Sequence, residues 1–269
     1  MNASWRRSRF GFRLLAGGLG GALLLFLLAP VLALVLSLHW EDFVAGLRNP
    51  LTVPALKLSL FTSLTSLTIV CITGTLLAWP LSQRSEPWAR WVEAICQLPI
   101  VVPPAVAGLG LLLAFGQRGL FGQWLASSLS ISLPFTTAAV VVAETFVSAP
   151  FFIQAALAAF RRLDPELVLA ARSLGASPAR VLLGIAIPLS APALVGGAAT
   201  CWARAVGEFG ATLMFAGNLT GRTQTMSLAV YTAMESDLRA AQALAVVLVA
   251  VAFALLAVLR LAAARGERR

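Results

Sequence analysis

Charge is scarce in this chain. Only 12% of its 269 residues are Asp, Glu, Lys or Arg, while 59% are hydrophobic, and a soluble surface needs roughly twice that charge density, about 25%. A water-soluble globular domain is therefore excluded, and a mean hydropathy of +0.88 indicates a chain whose apolar residues face lipid as well as each other. Histidine and lysine occur once each, as His39 and Lys57. A lone histidine rules out the two-histidine metalloprotease helix and leaves no easy histidine-based triad. Lys57 follows Leu56, whereas the phosphate loop of P-loop ATPases ends in Gly-Lys-Ser/Thr, so the chain carries no such loop. The three cysteines, Cys71, Cys96 and Cys201, lie far apart in or beside apolar runs, which suits small core residues and argues against a disulfide framework or a zinc site. Internal repeats and low-complexity linkers are missing too.

What is present is a series of long apolar runs. A bilayer core of about 30 Å needs about 20 apolar residues per helix, and six runs qualify: Leu14 to Leu38, Ala55 to Leu81, Leu98 to Phe115, Phe135 to Ala156, Val181 to Val206 and Ala240 to Leu261. The expected class is an all-α integral membrane protein with six transmembrane helices. Residues 1–54 comprise a basic tail, a first helix and an outer connection, residues 55–261 the membrane domain, and residues 262–269 a tail. The first run has the basic start of a signal peptide, but its 25 apolar residues exceed the usual ~7 to 15 of such a segment, so it is read as a retained helix.

The net charge of +9 suggests a nucleic-acid binder until its distribution is considered. With the N-terminus inside, segments 1–13, 82–97, 157–180 and 260–269 hold fourteen arginines, against six basic residues on the outer segments and rims. Basic residues concentrate on the cytoplasmic side. Both termini are thus expected in the cytoplasm, and no nucleic acid is expected as a partner.

One inner segment, Phe160 to Leu194, is patterned like a short capped helix. Asp164 suits an N-cap, Pro165 the first helical position and Glu166 the positive end of the dipole. Leu167, Ala170, Ala171 and Leu174 recur at i, i+3, i+4 and i+7. Gly175 fits a left-handed terminus, and Ser177-Pro178 starts another helix. These signals predict an amphipathic helix of ten residues, too short to span. It could lie in the lipid interface or dock in a groove of a cytoplasmic partner. The small alanines within its face favour docking.

This segment resembles the cytoplasmic signature of permease subunits of ATP-binding-cassette importers: EAA, three residues, G, nine residues, I, one residue, LP. Ala170, Ala171, Gly175, Ile185 and Pro188 stand at those spacings, with Ile187 for the leucine. Leu169 replaces the glutamate, and Glu166 lies one turn earlier on the same side. The resemblance, over roughly residues 50–259, implies the type I importer permease fold with a coupling helix. It also implies a separate cytoplasmic ABC ATPase that hydrolyses ATP, no cofactor or metal bound by this chain, no catalytic residue in it, and a permease homodimer in the lipid bilayer of a bacterial or archaeal cytoplasmic membrane.

The stretch Trp202 to Ser236, with Phe209-Gly210-Ala211-Thr212 and Thr223 to Tyr231, and the stretch Leu133 to Phe152 resemble permeases for molybdate and tungstate more than those for sulfate or thiosulfate, the alternative. A periplasmic or extracellular binding protein would then deliver the oxyanion. A self-contained ion-coupled carrier using Glu144, Arg204 and Glu208 is a further alternative, and a membrane enzyme a more distant one.

Charged side chains within apolar runs are costly unless paired or wetted. Arg204 and Glu208, four apart near the outer end of the fifth run, can pair across one turn and either neutralise each other or shape a gate. Glu144, expected near the middle of the fourth run, reads as a buried, hydrogen-bonded structural carboxyl, and Lys57 as a snorkelling residue. Pro99, Pro103, Pro104, Gly108 and Gly110 make the third helix irregular, as a kink or, in a pore-lining helix, a hinge. Pro103, Pro104, Glu144, Arg204, Glu208 and Thr212 are the pathway or gate candidates.

Overall fold

The computed structural model describes residues 3–266, with side chains described at 16–258 and 261. The terminal arginines on which the expected orientation partly rests, Arg6, Arg7, Arg9 and Arg13 at one end and Arg260, Arg265, Arg268 and Arg269 at the other, lie outside the described side chains, as do the tails 1–13 and 262–269.

Thirteen α-helices and one π-helical stretch make up the described residues, with no strand among them. In chain order they are α1 (Ala3–Leu36), α2 (Trp40–Arg48), α3 (Thr52–Ser82), α4 (Pro87–Val101), α5 (Pro104–Phe115), α6 (Gly122–Leu129), α7 (Thr137–Arg161), α8 (Pro165–Ser173), α9 (Pro178–Val181), the π-helical Leu182–Ala186, α10 (Ile187–Val206), α11 (Gly210–Ala216), α12 (Met226–Ser236) and α13 (Leu238–Gly266). Five stretches are long and apolar enough to cross a bilayer: Ala16–Leu36, Thr52–Ser82, Thr137–Arg161, Pro178–Val206 and Leu238–Val258. The pair α4 and α5 passes the same test together but is bent by 114°, the geometry of a broken span or of a re-entrant loop.

That break corrects the expectation of one irregular helix from Leu98 to Phe115. A residue before proline is pushed out of the helical region towards extended backbone, and here this happens twice in succession. Val102 has ψ 125° and Pro103 has ψ 139°. Pro104 then opens α5 at the position where its missing N–H costs nothing. Upstream, Pro87 starts the helix eleven residues before Leu98. The outer connection contains α2, and the region after the fifth span contains α11 and α12, three short helices that the apolar runs did not announce.

The helix α7 is central, packed most extensively on α3 and α10. Its core splits along its length. Towards its C-terminal end Phe152, Ile153, Ala156 and Phe160 meet Val70, Ala78 and Trp79 of α3 together with Leu182 and Ala186 of the π stretch. Towards its N-terminal end Ala139, Val140, Ala143 and Val147 meet Ala107 and Leu111 of α5 and Ala211 and Phe215 of α11. A third cluster joins Ala55, Met226, Ala229 and Leu244. By contrast α1 touches the rest chiefly through α13, and the stretch Ala16–Leu36 has no buried residue in its most apolar window.

Wide π geometry at Leu182–Ala186 has a local cause. Pro188 has no N–H to give the carbonyl of Gly184 and its ring crowds that group. The helix slips register there, and the Ile187 N–H bonds Leu182 O, five residues back.

Candidate functional site

Two constellations emerge. The first is α8, held away from the bundle at the end where α3 and α7 terminate. Asp164 caps it, its Oδ1 accepting the Glu166 N–H at 2.9 Å, and Pro165 occupies the first turn. Gly175 closes it with φ +82°. Ser177 caps α9, its Oγ accepting the Arg180 N–H at 3.3 Å. Packing sorts the residues of α8 differently from the expected face. Ala171 turns inward with Val168 against the core cluster, so it does not share an outer face with Leu167 and Ala170. Leu174 caps the helix C-terminally rather than belonging to it, which makes α8 nine residues long instead of ten. What remains outside is an apolar surface of Leu167, Ala170 and Leu174, with Leu174 89% exposed, while Leu169, also exposed, borders the space between α8 and the ends of α3 and α7. Glu166 is also exposed. Ile185 falls within the π stretch and is half-buried, and Pro188 follows in the first turn of α10, exposed.

The second constellation is a buried polar seam. Along α3, Ser59, Thr62, Ser63 and Ser66 are all buried and spaced i, i+3, i+4, i+7. They face three other helices. Thr62 Oγ1 donates to Glu144 Oε1 at 2.9 Å, Thr145 Oγ1 donates to Ser66 Oγ at 3.1 Å, Trp202 Nε1 donates to Ser63 Oγ at 3.1 Å, and Ser59 Oγ accepts from the Met226 N–H at 2.7 Å. The stripe thus ties α3 to α7, α10 and α12. Its pattern is visible in the sequence as small hydroxyl residues on one helical face of an apolar run, a signal that a search for charged residues passes over. Glu144 sits in the first third of α7, not at its middle, and its Oε2 has no partner.

Arg204 and Glu208 do pair, with Nη2 2.6 Å from Oε2. The contact is close but its N–H directions are poorly aligned, so Oε2 accepts no well-formed hydrogen bond. Glu208 lies beyond the last residue of α10, Val206, rather than on it. Its Oε1 accepts the Ala211 N–H at 2.8 Å in the first turn of α11, where an anionic group is favoured by the helix dipole. Glu208 therefore joins the end of one helix to the start of the next. Thr212, fully buried in α11, has an unpartnered hydroxyl.

Pro103 and Pro104 stand beside this junction. A Cβ added at Gly210 would lie 3.0 Å from Pro104 Cβ, and one at Gly108 would lie 2.7 Å from both Ala211 O and Met214 Cβ. Glycine is required where α5 and α11 approach this closely. Beyond α11 the chain turns through Gly217 and Gly221, both with positive φ, around the Leu219 carbonyl, which accepts from the N–H groups of Arg222, Thr223 and Gln224 at 2.9–3.0 Å. The structure brings Glu208, Thr212 and Pro104 into one region, while the α8 residues form a separate one. Cys201 is buried, and Cys71 and Cys96 are half-buried, all three free. Among the described residues no group of three or more potential metal ligands occurs.

A bundle of long apolar helices with a buried polar seam, a sharply bent apolar helix pair and a short capped helix held outside is a multi-pass membrane protein of the permease class. The chain belongs to the family of binding-protein-dependent transport system inner membrane components, whose model matches residues 71–269. It is 38% identical over 229 residues to the molybdenum transport system permease protein of Mycobacterium tuberculosis, covering 85% of this chain and 86% of that one. It is 35% identical over 273 residues to the sulfate transport system permease protein of Escherichia coli, covering 99% and 97%. A bacterial ABC transporter for import of the acidic polysaccharide alginate has a chain that superposes with a TM-score of 0.76 at 17% identity, covering 98% of this chain and 99% of that one. The fold is that of type I ABC importer permeases, as the signature around Gly175 implies.

Proposed function

We propose that this chain is the permease subunit of an ATP-driven importer for molybdate or tungstate. The observation that carries the reading is α8, a capped helix with an apolar outer surface that the bundle leaves uncovered, bearing Ala170, Ala171 and Gly175 at the signature spacing. Such a helix fits a hydrophobic groove on a separate ABC ATPase, and no P-loop lysine occurs in this chain. On this reading the α8 end faces the cytoplasm, both termini lie on that side, and two copies of the chain form the pathway between them. An external binding protein delivers the oxyanion to the opposite end, near Arg204, Glu208 and Thr212. The 38% identity to a molybdenum permease supports the substrate.

Sulfate is the second reading, favoured by one specific observation. The likeness to the sulfate permease runs over 99% of the chain, against 85% for the molybdenum permease. Vesicle uptake with labelled oxyanions, cognate ATPase and binding protein decides between them. Molybdate or tungstate uptake that needs both partners is expected. Sulfate uptake that persists under a large excess of molybdate, with no molybdate transport, would move the assignment to sulfate. Uptake under an ion gradient with no ATPase present would sink both in favour of a carrier.

A further inference from the structure

Behind α8, on its inward side, a cavity of about 500 Å³ opens between the end of α3, the turn into α4 and the end of α7. Its floor is apolar, with Trp79 and Phe160 in edge-on contact at 5.4 Å between ring centroids and Val168 beside them. Its charged lining is cationic: Arg84, Arg161 and Arg172 border it beside the neutral Ser82, Gln83 and Ser85, and among the described residues no carboxylate does.

The arginines are only partly neutralised from outside the lining. Arg161 pairs with Glu93 at both ends, Nη2 with Oε1 and Nη1 with Oε2 at 3.1 Å, and Arg84 Nη1 lies 3.3 Å from Glu86 Oε1. Bonds from its own and the Ser85 backbone amides hold the Glu86 carboxyl below the usual carboxylate range. Arg172 Nη2 donates to the neutral Gln83 Oε1 at 2.7 Å, so three guanidiniums meet two carboxylates. The nearby first turns of α4 expose Trp88 and Trp91, by 52% and 72%. Exposed tryptophans concentrate where membrane meets water.

We propose that this cavity holds the phosphate headgroup of an anionic phospholipid, with the guanidiniums on the phosphate and the glycerol and first methylenes over Trp79 and Phe160. Arginine binds phosphate through paired, charge-assisted hydrogen bonds. A choline headgroup carries the same phosphate, but its ammonium would be repelled by the same arginines. The lipid would buttress α8 from behind, leaving its outer surface free.

The test is native mass spectrometry and thermal unfolding of the purified full-length chain with phosphatidylglycerol, phosphatidylcholine or inorganic phosphate. Each basic residue near an anionic lipid contributes on the order of a fivefold gain in affinity. Phosphatidylglycerol should be retained over phosphatidylcholine by roughly tenfold or more, and should raise the unfolding temperature. The double variant Arg84→Gln/Arg172→Gln should lose that preference while remaining folded, and Arg118→Gln, remote from the cavity, should keep it. Equal retention of the two lipids, or an undiminished preference in the double variant, would overturn the site. Stabilisation by inorganic phosphate alone would overturn the lipid source, and displacement of bound lipid by the ATPase would give the cavity to that partner.

Discussion

The Thr62 hydroxyl donates to Glu144 Oε1 at 2.9 Å across 82 residues of sequence, both side chains being buried, and with the Thr145–Ser66 bond it ties the two helices that have the most extensive contact. A carboxyl in such a place depends on its donor, because an unsatisfied buried acceptor costs about 1–3 kcal/mol. Thr62→Val keeps the shape and removes the donor, so it should destabilise the protein by that amount, while Thr62→Ser should largely restore it. Thermal unfolding in detergent checks both. Equal stability of Thr62→Val and wild type would mean that Glu144 is satisfied elsewhere.

Arg204 and Glu208 make a second test of buried charge. Removing one partner of a buried ion pair strands the other and costs about 3–5 kcal/mol, whereas replacing both can be nearly neutral. Arg204 retains some solvent access, at 28% side-chain exposure, so the lower end applies. Arg204→Met should therefore be less stable than Arg204→Met/Glu208→Gln, in which the amide oxygen can still accept from Ala211. The same melts report it, and an additive double variant would show that the pair is not coupled.

Close approach of α5 to α11 predicts an asymmetry between two glycines on one helix. Gly108→Ala puts a methyl 2.7 Å from Ala211 O and Met214 Cβ, while Gly110 has nothing within 4 Å. Overpacking of this kind costs about 1–3 kcal/mol, and alanine at an unobstructed helical site is favourable by up to about 1 kcal/mol. Gly108→Ala should unfold earlier and lose uptake, and Gly110→Ala should do neither. Similar behaviour of the two variants would remove the tight contact as the reason for Gly108.

Much of this architecture is readable locally, and the exceptions have physical causes. Asp164, Pro165, Gly175 and Ser177 act through their own backbone neighbours, so the boundaries of α8 and α9 follow from residue type. The inward turn of Ala171 is not legible in the period, which marks an apolar face without saying which part of it meets the bundle. The third run looked continuous because apolar residues run straight across Val102 and Pro104, although the backbone turns there by 114°. The helix α11, with seven residues, is too short for a hydrophobic period to register. Arg204 is legible as a partner of Glu208 from its i, i+4 spacing, but two other partners are not: Thr62, which holds Glu144, is remote in sequence, and the Ala211 amide on Glu208 is a backbone group that any residue could supply.

The last prediction concerns α8 and the departure from the family signature at Leu169. Leu167, Ala170 and Leu174 face away from the bundle and Leu169 borders the cavity behind the helix, all four exposed, so a polar substitution among them has little packing to lose in the isolated chain. Leu174→Asp should leave its stability within about 0.5 kcal/mol of wild type, as for other exposed sites. On the proposed docking of α8, the same carboxylate would be buried unpaired in the groove of the ATPase partner, at a cost of several kcal/mol, and ATPase association and stimulation should fail. Gly175→Val should fail likewise for a different reason, since φ +82° is a conformation that β-branched residues resist, and the chain would leave α8 in the wrong direction. Leu169→Glu should be tolerated, because it places the signature's carboxylate on an exposed surface. Glu166→Ala should weaken association if Glu166, one turn earlier, supplies the acidic contact that Leu169 lacks. Co-purification and vesicle ATPase stimulation of the four variants distinguish these outcomes. Normal coupling in Leu174→Asp would remove the docking role from this helix, and normal coupling in Glu166→Ala would leave Leu169 as a genuine loss of the acidic contact.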